Sequence, residues 1–167
     1  ALAGDTESLS VAAQVGVLVV LMHMRGEPQT MQEAPHYDDV ALDIFDFLAA
    51  RLAAAAEAGI APGQVILDPG IGFGKTLEHN VELLRRLALL HGLGCPLLVG
   101  VSRKRFIAAL GRGEPPGLRI PGSLAAALAA LARGAQIIRV HDVEQTEQAR
   151  RVWQALHGGP ARQSGDS

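Results

Sequence analysis

The chain has 167 residues, of which 49% are hydrophobic, and a net charge of −2. This is the size of one ordinary domain with enough apolar residues for a core, and the charge gives no reason to expect nucleic acid or an anionic membrane surface as a partner. No apolar run reaches the ~18 residues of a membrane span. The single cysteine, Cys95, excludes a disulfide framework and fits a reducing cytoplasm. We interpret it as a small buried hydrophobic residue.

Four apolar segments predict the strands of the fold. The chain opens on a helix-like segment, residues 7–16, with no strand before it. Runs rich in β-branched residues then predict strands at residues 17–23, 64–68, 96–101 and 136–141. Each run is almost continuously hydrophobic, which is typical of strands that are covered on both faces.

Helical patterns lie between these strands. Apolar residues at helical spacing, with acidic residues at the start, predict a long helix over residues 38–59. Further helices are predicted from near Asn80 to Gly92, from near Arg105, from a capping Ser123 to Gly134, and from residue 144 onward. The Gly- and Pro-rich residues 111–121 are predicted to be irregular. We expect one domain over residues 1–158 and a disordered tail over residues 159–167.

The alternation of strands and helices predicts an α/β fold with a parallel sheet. Polar residues cluster where the four strands end, at residues 22–25, 68, 102–104 and 139–142. Ligands bind at this edge both in a (β/α)8 barrel and in a doubly wound open sheet, so the placement alone leaves both architectures open. Four strand–helix units are half of an eight-unit barrel, and the order looks like that of a barrel cut in the middle.

The segment ILDPGIGFGKT, residues 66–76, is similar to a phosphate-binding loop but lacks its first glycine. The pattern G-x-x-x-x-G-K-[ST] would place that glycine where Pro69 stands. The remaining glycines permit positive φ and a close approach to a flat ligand, for which Phe73 offers a stacking wall. Asp68 presents two acceptor oxygens, which suit a heterocycle with two adjacent N–H donors, such as a 2-amino-4-oxo ring. The alternative is a structural Asp68 that caps the glycine-rich turn.

Two further polar clusters follow the third and fourth strands. Ser102, Arg103 and Lys104 lead into a helix N-terminus, which together with the lysine predicts a site for an anion or a carboxylate. Arg139 and His141 are two residues apart, so they point to one side of a strand and suit a diphosphate. The alternatives are solvated surface for the first cluster and, for the second, an arginine paired with an acid beside a buried structural histidine.

Other chemistries are not indicated by the sequence. His23, between Met22 and Met24, faces away from its two neighbours and is interpreted as structural. No cluster of His, Cys and Asp has zinc-ligand spacing, so no metal ligand is predicted in this chain. Ser102 lacks the G-x-S-x-G context of a nucleophilic serine.

In this order, the motifs make the sequence resemble dihydropteroate synthase. The matching stretches are LMHMRGEPQTMQ, DPGIGFGKTLEHN, LLVGVSRKRFI and GSLAAALAALARGAQIIRVHDVEQT, and the resemblance runs from about residue 1 to 157. It implies the C-terminal half of a (β/α)8 TIM barrel, strands 5–8 with their helices. It also implies an enzyme of folate biosynthesis that joins 6-hydroxymethyl-7,8-dihydropterin diphosphate to p-aminobenzoate and releases diphosphate.

The resemblance implies how the substrates are held. Asp68 holds the N–H edge of the pterin, in a pocket lined by Met22, Gly72 and Phe73. Lys104 reaches the pterin and positions p-aminobenzoate, with Ser102 close by. Diphosphate is bound by Arg139 and His141. On this basis the catalytic residues are Lys104, Asp68, Arg139 and His141, and the glycines are expected to clear space for the pterin.

The second lysine of the chain is expected to matter less. Only Lys75 and Lys104 occur in the sequence. Lys75 lies past the Phe73 turn and is expected to be solvated, so its removal should weaken catalysis less than removal of Lys104.

Motifs that the family carries in its first half do not occur in these 167 residues. Among them is an L-N-V-T-P-D-S-F-like strand whose Asn helps bind Mg2+. We therefore expect Mg2+ to serve the complete enzyme through a ligand outside this chain, and the chain alone to be inactive. A cytoplasmic homodimer is expected, because half a barrel exposes two sheet edges. The alternatives are a non-catalytic, self-associating half-barrel and a pterin-binding methyltransferase domain of the methyltetrahydrofolate–corrinoid type, which has little use for a diphosphate site.

Overall fold

The computed structural model describes residues 8–25 and 35–158, so the predicted tail at residues 159–167 lies outside the described residues. The strands are β1 (Val19–Met22), β2 (Val65–Asp68), β3 (Leu98–Val99) and β4 (Ile137–Ile138). The α-helices are α1 (Ser8–Val15), α2 (Val40–Glu57), α3 (Leu77–Arg85), α4 (Arg105–Leu110), α5 (Ile120–Ala132) and α6 (Val143–Leu156). Short 3-10 helices occupy Pro62–Gln64, Leu87–Leu93 and Pro116–Leu118. The predicted α/β class is confirmed.

The four strands are parallel and lie side by side in chain order. β1 pairs with β2 from Val19↔Val65 to Met22↔Asp68. A single parallel bridge, Leu67↔Leu97, joins β2 to the residue before β3. β3 then pairs with β4 through Leu98↔Ile137 and Val99↔Ile138. The sequence of neighbours is therefore β1-β2-β3-β4, without the reversal of order that marks a doubly wound sheet.

The two faces of this strand array differ in burial. Side chains alternate between faces along a strand, so the pairings place alternate residues of all four strands on a common face. One face is buried against the helices and holds Val19, Leu21, Val65, Leu67 and Val99. The opposite face holds Val20, Ile66, Leu98 and Ile137, none of which is buried. The prediction that the strands are covered on both faces is wrong for this second face, because the described helices cover only the first.

Helix α2 packs on β1 at the buried face. Asp39 caps it by accepting the backbone N–H groups of Ala41 and Leu42. Ile44 and Leu48, one helical turn apart, are completely buried in the core. Truncating Leu48 to Ala would cost about 2–5 kcal/mol of unfolding free energy, as is typical of buried leucines.

Two helices start or end elsewhere than predicted. The helix expected from Asn80 to Gly92 begins at Leu77, after the capping Thr76, and changes to a 3-10 helix beyond Arg86, where ψ is 17°. Helix α5 begins at Ile120, inside the segment expected to be irregular, because Pro121 fits the first turn of a helix. Ser123 is therefore inside the helix and not its cap. Its hydroxyl donates to the carbonyl of Arg119 at 2.7 Å.

Apolar side chains are exposed at both ends of the strand array. Leu18, at the start of β1, is 67% exposed. At the other end α6 has no buried residue, and its Leu156 is 78% exposed. Within the described residues, no helix is both long and apolar enough to cross a membrane.

Candidate functional site

The polar residues predicted at the strand ends lie on one face of the array. The register pairs Met22 with Asp68, and the same alternation places Gly100 beside Arg139 and Ser102 beside His141. This is the face that the helices leave uncovered. The structure therefore brings the three predicted motifs together on this face, at the carboxyl ends of the strands.

Asp68 begins a tight loop, residues 69–76, which we call the glycine loop. The carboxylate is 6% exposed, and its Oδ1 accepts the backbone N–H of Gly70 at 2.8 Å. The turn-capping contact of the structural alternative is thus present. Oδ2 has no hydrogen-bond donor in residues 8–25 and 35–158, so one oxygen remains for a ligand.

The three glycines of the loop clear space for the protein itself, which corrects the expectation that they clear it for a pterin. Each has a positive φ, of 68°, 82° and 61° at Gly70, Gly72 and Gly74. A Cβ on Gly70 would lie 1.8 Å from the carbonyl oxygen of His23, and one on Gly74 would lie 2.4 Å from that of Arg25. The loop is therefore packed against the backbone that leaves β1.

Lys104 and Phe73 form the wall of the site next to Gly72. The ammonium lies 4.5 Å above the centre of the phenyl ring and donates to the carbonyl of Ile71. A Cβ on Gly72 would stand 3.0 Å from Lys104 Cδ, so the glycine makes room for the lysine stem. Lys104 precedes α4, which has only six residues.

Arg103 supports this turn and does not reach into the site. Its φ of 58° is rare for a residue with a Cβ and persists only where the surroundings fix it. The guanidinium forms a two-point ion pair with Asp142 after β4. Its backbone N–H donates to Ser123 Oγ at 2.9 Å, and its carbonyl accepts from Arg119 at 2.8 Å. These contacts hold Ser102 and Lys104 on either side in fixed directions.

Ser102 determines which nitrogen of His141 carries the proton. The serine Oγ accepts the backbone N–H of His141 at 3.2 Å and lies 3.0 Å from its Nδ1. Among the described residues these are the only hydrogen-bond partners of this hydroxyl. The backbone N–H can only donate, and Nδ1 is the one acceptor among these partners, so donation of the hydroxyl proton to Nδ1 satisfies both groups. The neutral imidazole then carries its proton on Nε2 and can donate it to a ligand.

Arg139 and His141 are both exposed, which rules out a buried structural histidine. The guanidinium of Arg139 lies across Gly100, with Nε 3.4 Å from the position of a Cβ there. In the part of the chain that the structure describes, no carboxylate forms an ion pair with Arg139.

The charge of the site is unbalanced toward the positive. Burial raises the pKa of Asp68, while Lys104, Arg139 and Lys75 act in the opposite direction. Burial lowers the pKa of Lys104 to about 8, against the attraction of Asp68. One carboxylate thus stands among several cations, an arrangement that favours an anionic ligand.

Lys75 is buried, which corrects the expectation that it is solvated. It is 3% exposed, and burial lowers its pKa to about 7. Its ammonium contacts His23 Nδ1, 52 residues away in sequence. His23 is buried with its ring against Phe47, as its structural interpretation predicts.

Sequence reasoning missed the residues that hold the glycine loop from outside. Asn80 Oδ1 accepts the N–H of Gly72 at 2.6 Å, and Tyr37 donates its hydroxyl to the carbonyl of Gly74 at 2.7 Å. The buried position of Asn80 on the first turns of α3 was the available signal. Nothing in the local sequence around Tyr37 indicates its partner.

Two cavities lie near this edge of the molecule. One of about 580 Å³ shares Gly72, Phe73 and Lys104 with the site. A larger one of about 690 Å³ lies between α3, α4 and α5, and it is lined by none of the eight predicted substrate-binding residues. The geometry of the strand ends, and not cavity size, therefore locates the candidate site.

In the described residues, the strand ends of a parallel α/β array carry a carboxylate oxygen without a donor, an aromatic wall and an arginine without an acidic partner. The profile of the pterin binding enzyme family matches residues 1–141, and the chain belongs to that family.

Known relatives agree with the resemblance predicted from the motifs. Dihydropteroate synthase of Escherichia coli strain K12 is 51% identical over 148 residues, which cover 89% of this chain and 52% of that protein. The crystal structure of dihydropteroate synthase from Stenotrophomonas maltophilia with active site-bound imidazole matches with a TM-score of 0.90 and 48% identity, over 93% of this chain and 59% of that one. The Xanthomonas albilineans enzyme in complex with 7,8-dihydropteroate matches with a TM-score of 0.86 and 46% identity, over 93% and 55%. The chain thus spans about half the length of these relatives.

Proposed function

We propose that residues 1–158 form the C-terminal half-barrel of a dihydropteroate synthase, and that their strand ends bind pterin diphosphate and p-aminobenzoate. The observation that carries this proposal is the convergence of Asp68, Ser102, Arg139 and His141 on one face of four parallel strands. The family and its relatives supply the identity of the ligands.

Three features of the strand array support a half-barrel. The strands follow one another in chain order, as in a singly wound barrel. Consecutive helices pack on one another, α2 on α3, α3 on α4 and α5 on α6, as in the outer ring of a barrel. The face opposite the helices is left partly open, where four further strands would complete the interior.

The pterin half of the site rests on Asp68 and the wall beside it. Asp68 Oδ2 is the free acceptor for the N–H edge of the ring. Phe73 and Lys104 border the space that the ring would fill, and Met22 pairs with Asp68 on the neighbouring strand. Gly72 contributes by admitting the stem of Lys104.

The diphosphate half rests on Arg139 and His141. In the proposed reaction the bond from the pterin methylene carbon to the diphosphate oxygen breaks and leaves a cation delocalised into the pterin ring. The amine nitrogen of p-aminobenzoate then forms a bond to that carbon and loses one proton to the released diphosphate. The guanidinium and the Nε2–H group stabilise the charge on the departing diphosphate, which is electrostatic catalysis. The turn of Ser102 and Lys104 orients the p-aminobenzoate.

Magnesium enters the proposal only for the complete enzyme. In residues 8–25 and 35–158, no three His, Cys, Asp or Glu side chains are grouped so as to hold a metal ion. We propose, from the resemblance to the family, that the Mg2+ ligand lies outside this chain, and no step above passes through the metal. We further propose that the complete enzyme works in the cytoplasm as a homodimer. The isolated chain is proposed to self-associate, since its exposed apolar ends at Leu18 and Leu156 need a partner surface.

Calorimetric titration of the 167-residue chain with 6-hydroxymethylpterin and, separately, with diphosphate tests this function. We expect both to bind, and we expect no diphosphate release when p-aminobenzoate and pterin diphosphate are supplied together. Binding of pterin without diphosphate would favour the methyltetrahydrofolate–corrinoid type, which lacks a use for the cation pair. A folded chain that binds neither ligand would overturn the proposal. Light scattering that finds a compact monomer would contradict self-association.

A further inference from the structure

Lys75 points back into its own loop, unlike the lysine of a phosphate-binding loop. Its Nζ lies 2.9 Å from the carbonyl oxygen of Gly70, 3.0 Å from that of Phe73 and 2.9 Å from His23 Nδ1. The side chain is 3% exposed. The adjoining Thr76 caps α3 by accepting the N–H of His79, so neither residue of this pair is directed at a phosphate.

The contacts of Lys75 match the donors of an ammonium group one to one. An ammonium has three N–H donors and no acceptor. The two carbonyls can only accept, and His23 accepts through Nδ1 because burial lowers its pKa to about 3 and keeps the ring neutral. Every donor therefore has an acceptor, which is the condition under which a buried cation is tolerated.

These contacts join the two strands that supply the pterin half of the site. His23 follows β1, and its N–H donates to the carbonyl of Asp68 at the end of β2. Gly70 and Phe73 are the two ends of one turn, in which the N–H of Phe73 donates to the Gly70 carbonyl at 3.1 Å. The ammonium thus fixes a turn that carries Phe73 at one end and the partner of Asp68 Oδ1 at the other.

We propose that Lys75 is a positioning residue of the pterin site: it binds both ends of the turn from inside and holds Asp68 and Phe73 in the orientation that receives the ring. Asn80 and Tyr37 hold the same loop from outside, through Gly72 and Gly74. The expected effect on pterin binding rests on the proposed function. The claim that Lys75 holds the loop rests on the loop geometry alone.

Amide hydrogen exchange of the 167-residue chain, compared between wild type and Lys75→Met, tests whether Lys75 holds the glycine loop. The amides of Gly70 and Phe73 should exchange at least about tenfold faster in the variant, since their turn loses the hydrogen bonds of the ammonium. The core amides of Ile44 and Leu48 should keep their rates. Arg112→Met, which removes an exposed cation outside the site, is the matched control and should change none of them. Loop rates equal to wild type, or an equal acceleration of loop and core, would overturn the proposal.

A second measurement on the wild-type chain covers a variant that fails to fold. Because the chain has only two lysines, 15N-lysine NMR gives two side-chain ammonium signals, which Lys104→Met assigns. We expect slow exchange of the Lys75 ammonium protons with water, and rates like those of an exposed lysine would sink the idea.

Pterin titration then tests whether the loop held by Lys75 is needed for pterin binding. Lys75→Met should weaken 6-hydroxymethylpterin binding about tenfold or more and leave diphosphate binding unchanged. Equal loss of both would show a general structural effect and overturn the positioning role. If wild type itself binds no pterin, the proposed function fails, while hydrogen exchange and lysine NMR still decide whether Lys75 holds the loop.

Discussion

The glycine loop after β2 and the pair of Arg139 and His141 after β4 belong to one proposed site but are built in opposite ways. The loop is largely buried, and its polar groups are matched by Lys75 and Asn80 within the protein. Arg139 and His141 are exposed, and Arg139 has no acidic partner in the described parts of the chain. One region is shaped before any ligand arrives, and the other keeps its charge available.

This contrast predicts two kinds of recognition. A preformed loop selects a ligand by shape and by the direction of hydrogen bonds, with little left to order on binding. Unpaired cations select by charge and tolerate differences in shape. In the described residues no hydrogen bond joins the two groups, and Arg139 acts on Asp68 only through its charge. Substitutions in one group should therefore change ligand binding at the other by no more than about threefold.

The largest expected effect is that of Asp68→Asn on pterin binding. The asparagine oxygen can keep the bond to the Gly70 N–H, which turns the amide donor toward the position of Oδ2. A donor would then meet the N–H edge of the pterin, where the carboxylate offered an acceptor. We expect a loss of about 2–4 kcal/mol, or roughly 30- to 1000-fold in affinity, by calorimetry.

Diphosphate is the internal control for Asp68→Asn, because its proposed ligands, Arg139 and His141, follow β4. Its affinity should stay within about threefold of wild type. A pterin affinity that also stays within about threefold would show that Asp68 serves only as the cap of the turn.

The next effect is that of Arg139→Gln on diphosphate binding. Glutamine retains an N–H donor but loses the charge, and charge-assisted bonds contribute about 1.5–3 kcal/mol, or roughly 10- to 150-fold in affinity. Pterin affinity should not change, and neither should diphosphate affinity in the control Arg112→Gln. The two ligands responding equally to Arg139→Gln would break the division between shape and charge.

The two lysines allow the contrast to be measured through the pH dependence of stability. The pKa of Lys75 is lowered to about 7 and that of Lys104 to about 8, from 10.5. Between these values and 10.5 the unfolded chain binds more protons than the folded one, so the unfolding free energy rises with pH. From pH 7 to 9 Lys75 alone should add on the order of 2 kcal/mol.

Urea denaturation at pH 7 and at pH 9, at constant ionic strength, measures this rise in unfolding free energy. Lys75→Met should remove more of the rise than Lys104→Met, because its pKa is lowered further. A rise of wild-type size in Lys75→Met would show that the ammonium remains charged and matched by its three acceptors throughout this range.

Local patterns in the sequence predicted the strand positions and their polar ends. Both follow from hydrophobic runs and from the rule that parallel strands end at one edge. The register, which decides that Arg139 lies beside Gly100 and His141 beside Ser102, follows from strand pairing between distant segments. The sequence alone places the polar side chains at the strand-end edge of the sheet, but it does not tell which residues each of them contacts.

The buried state of Lys75 and the left-handed backbone of Arg103 were not predictable in this way. Both depend on partners far along the chain, His23 at a separation of 52 residues and Asp142 at 39. A lysine between glycine and threonine is locally typical of a solvated or phosphate-facing residue. Its own loop supplies two carbonyl acceptors, but the third acceptor, His23 Nδ1, comes from the distant segment after β1.

The smallest expected effect concerns Ser102, whose hydroxyl contacts His141. Its hydroxyl donates to His141 Nδ1 and so keeps the neutral ring in the form with a proton on Nε2. In Ser102→Ala this preference is lost and both tautomers are populated. Diphosphate affinity should fall by about 1 kcal/mol, or roughly fivefold, as for one ordinary hydrogen bond.

The decisive readout is the 15N spectrum of the histidine rings under conditions in which His141 is neutral, with its signals assigned by their loss in His141→Gln. Wild type should show an unprotonated Nδ1 and a protonated Nε2, whereas Ser102→Ala should show averaged signals. Ser102→Thr keeps the hydroxyl and should restore the wild-type pattern. Since the backbone N–H of His141 already donates to Ser102, a wild-type ring protonated on Nδ1 would leave this hydroxyl with two donors and no acceptor. That result would contradict the assignment and would place the donor for diphosphate on Arg139 alone.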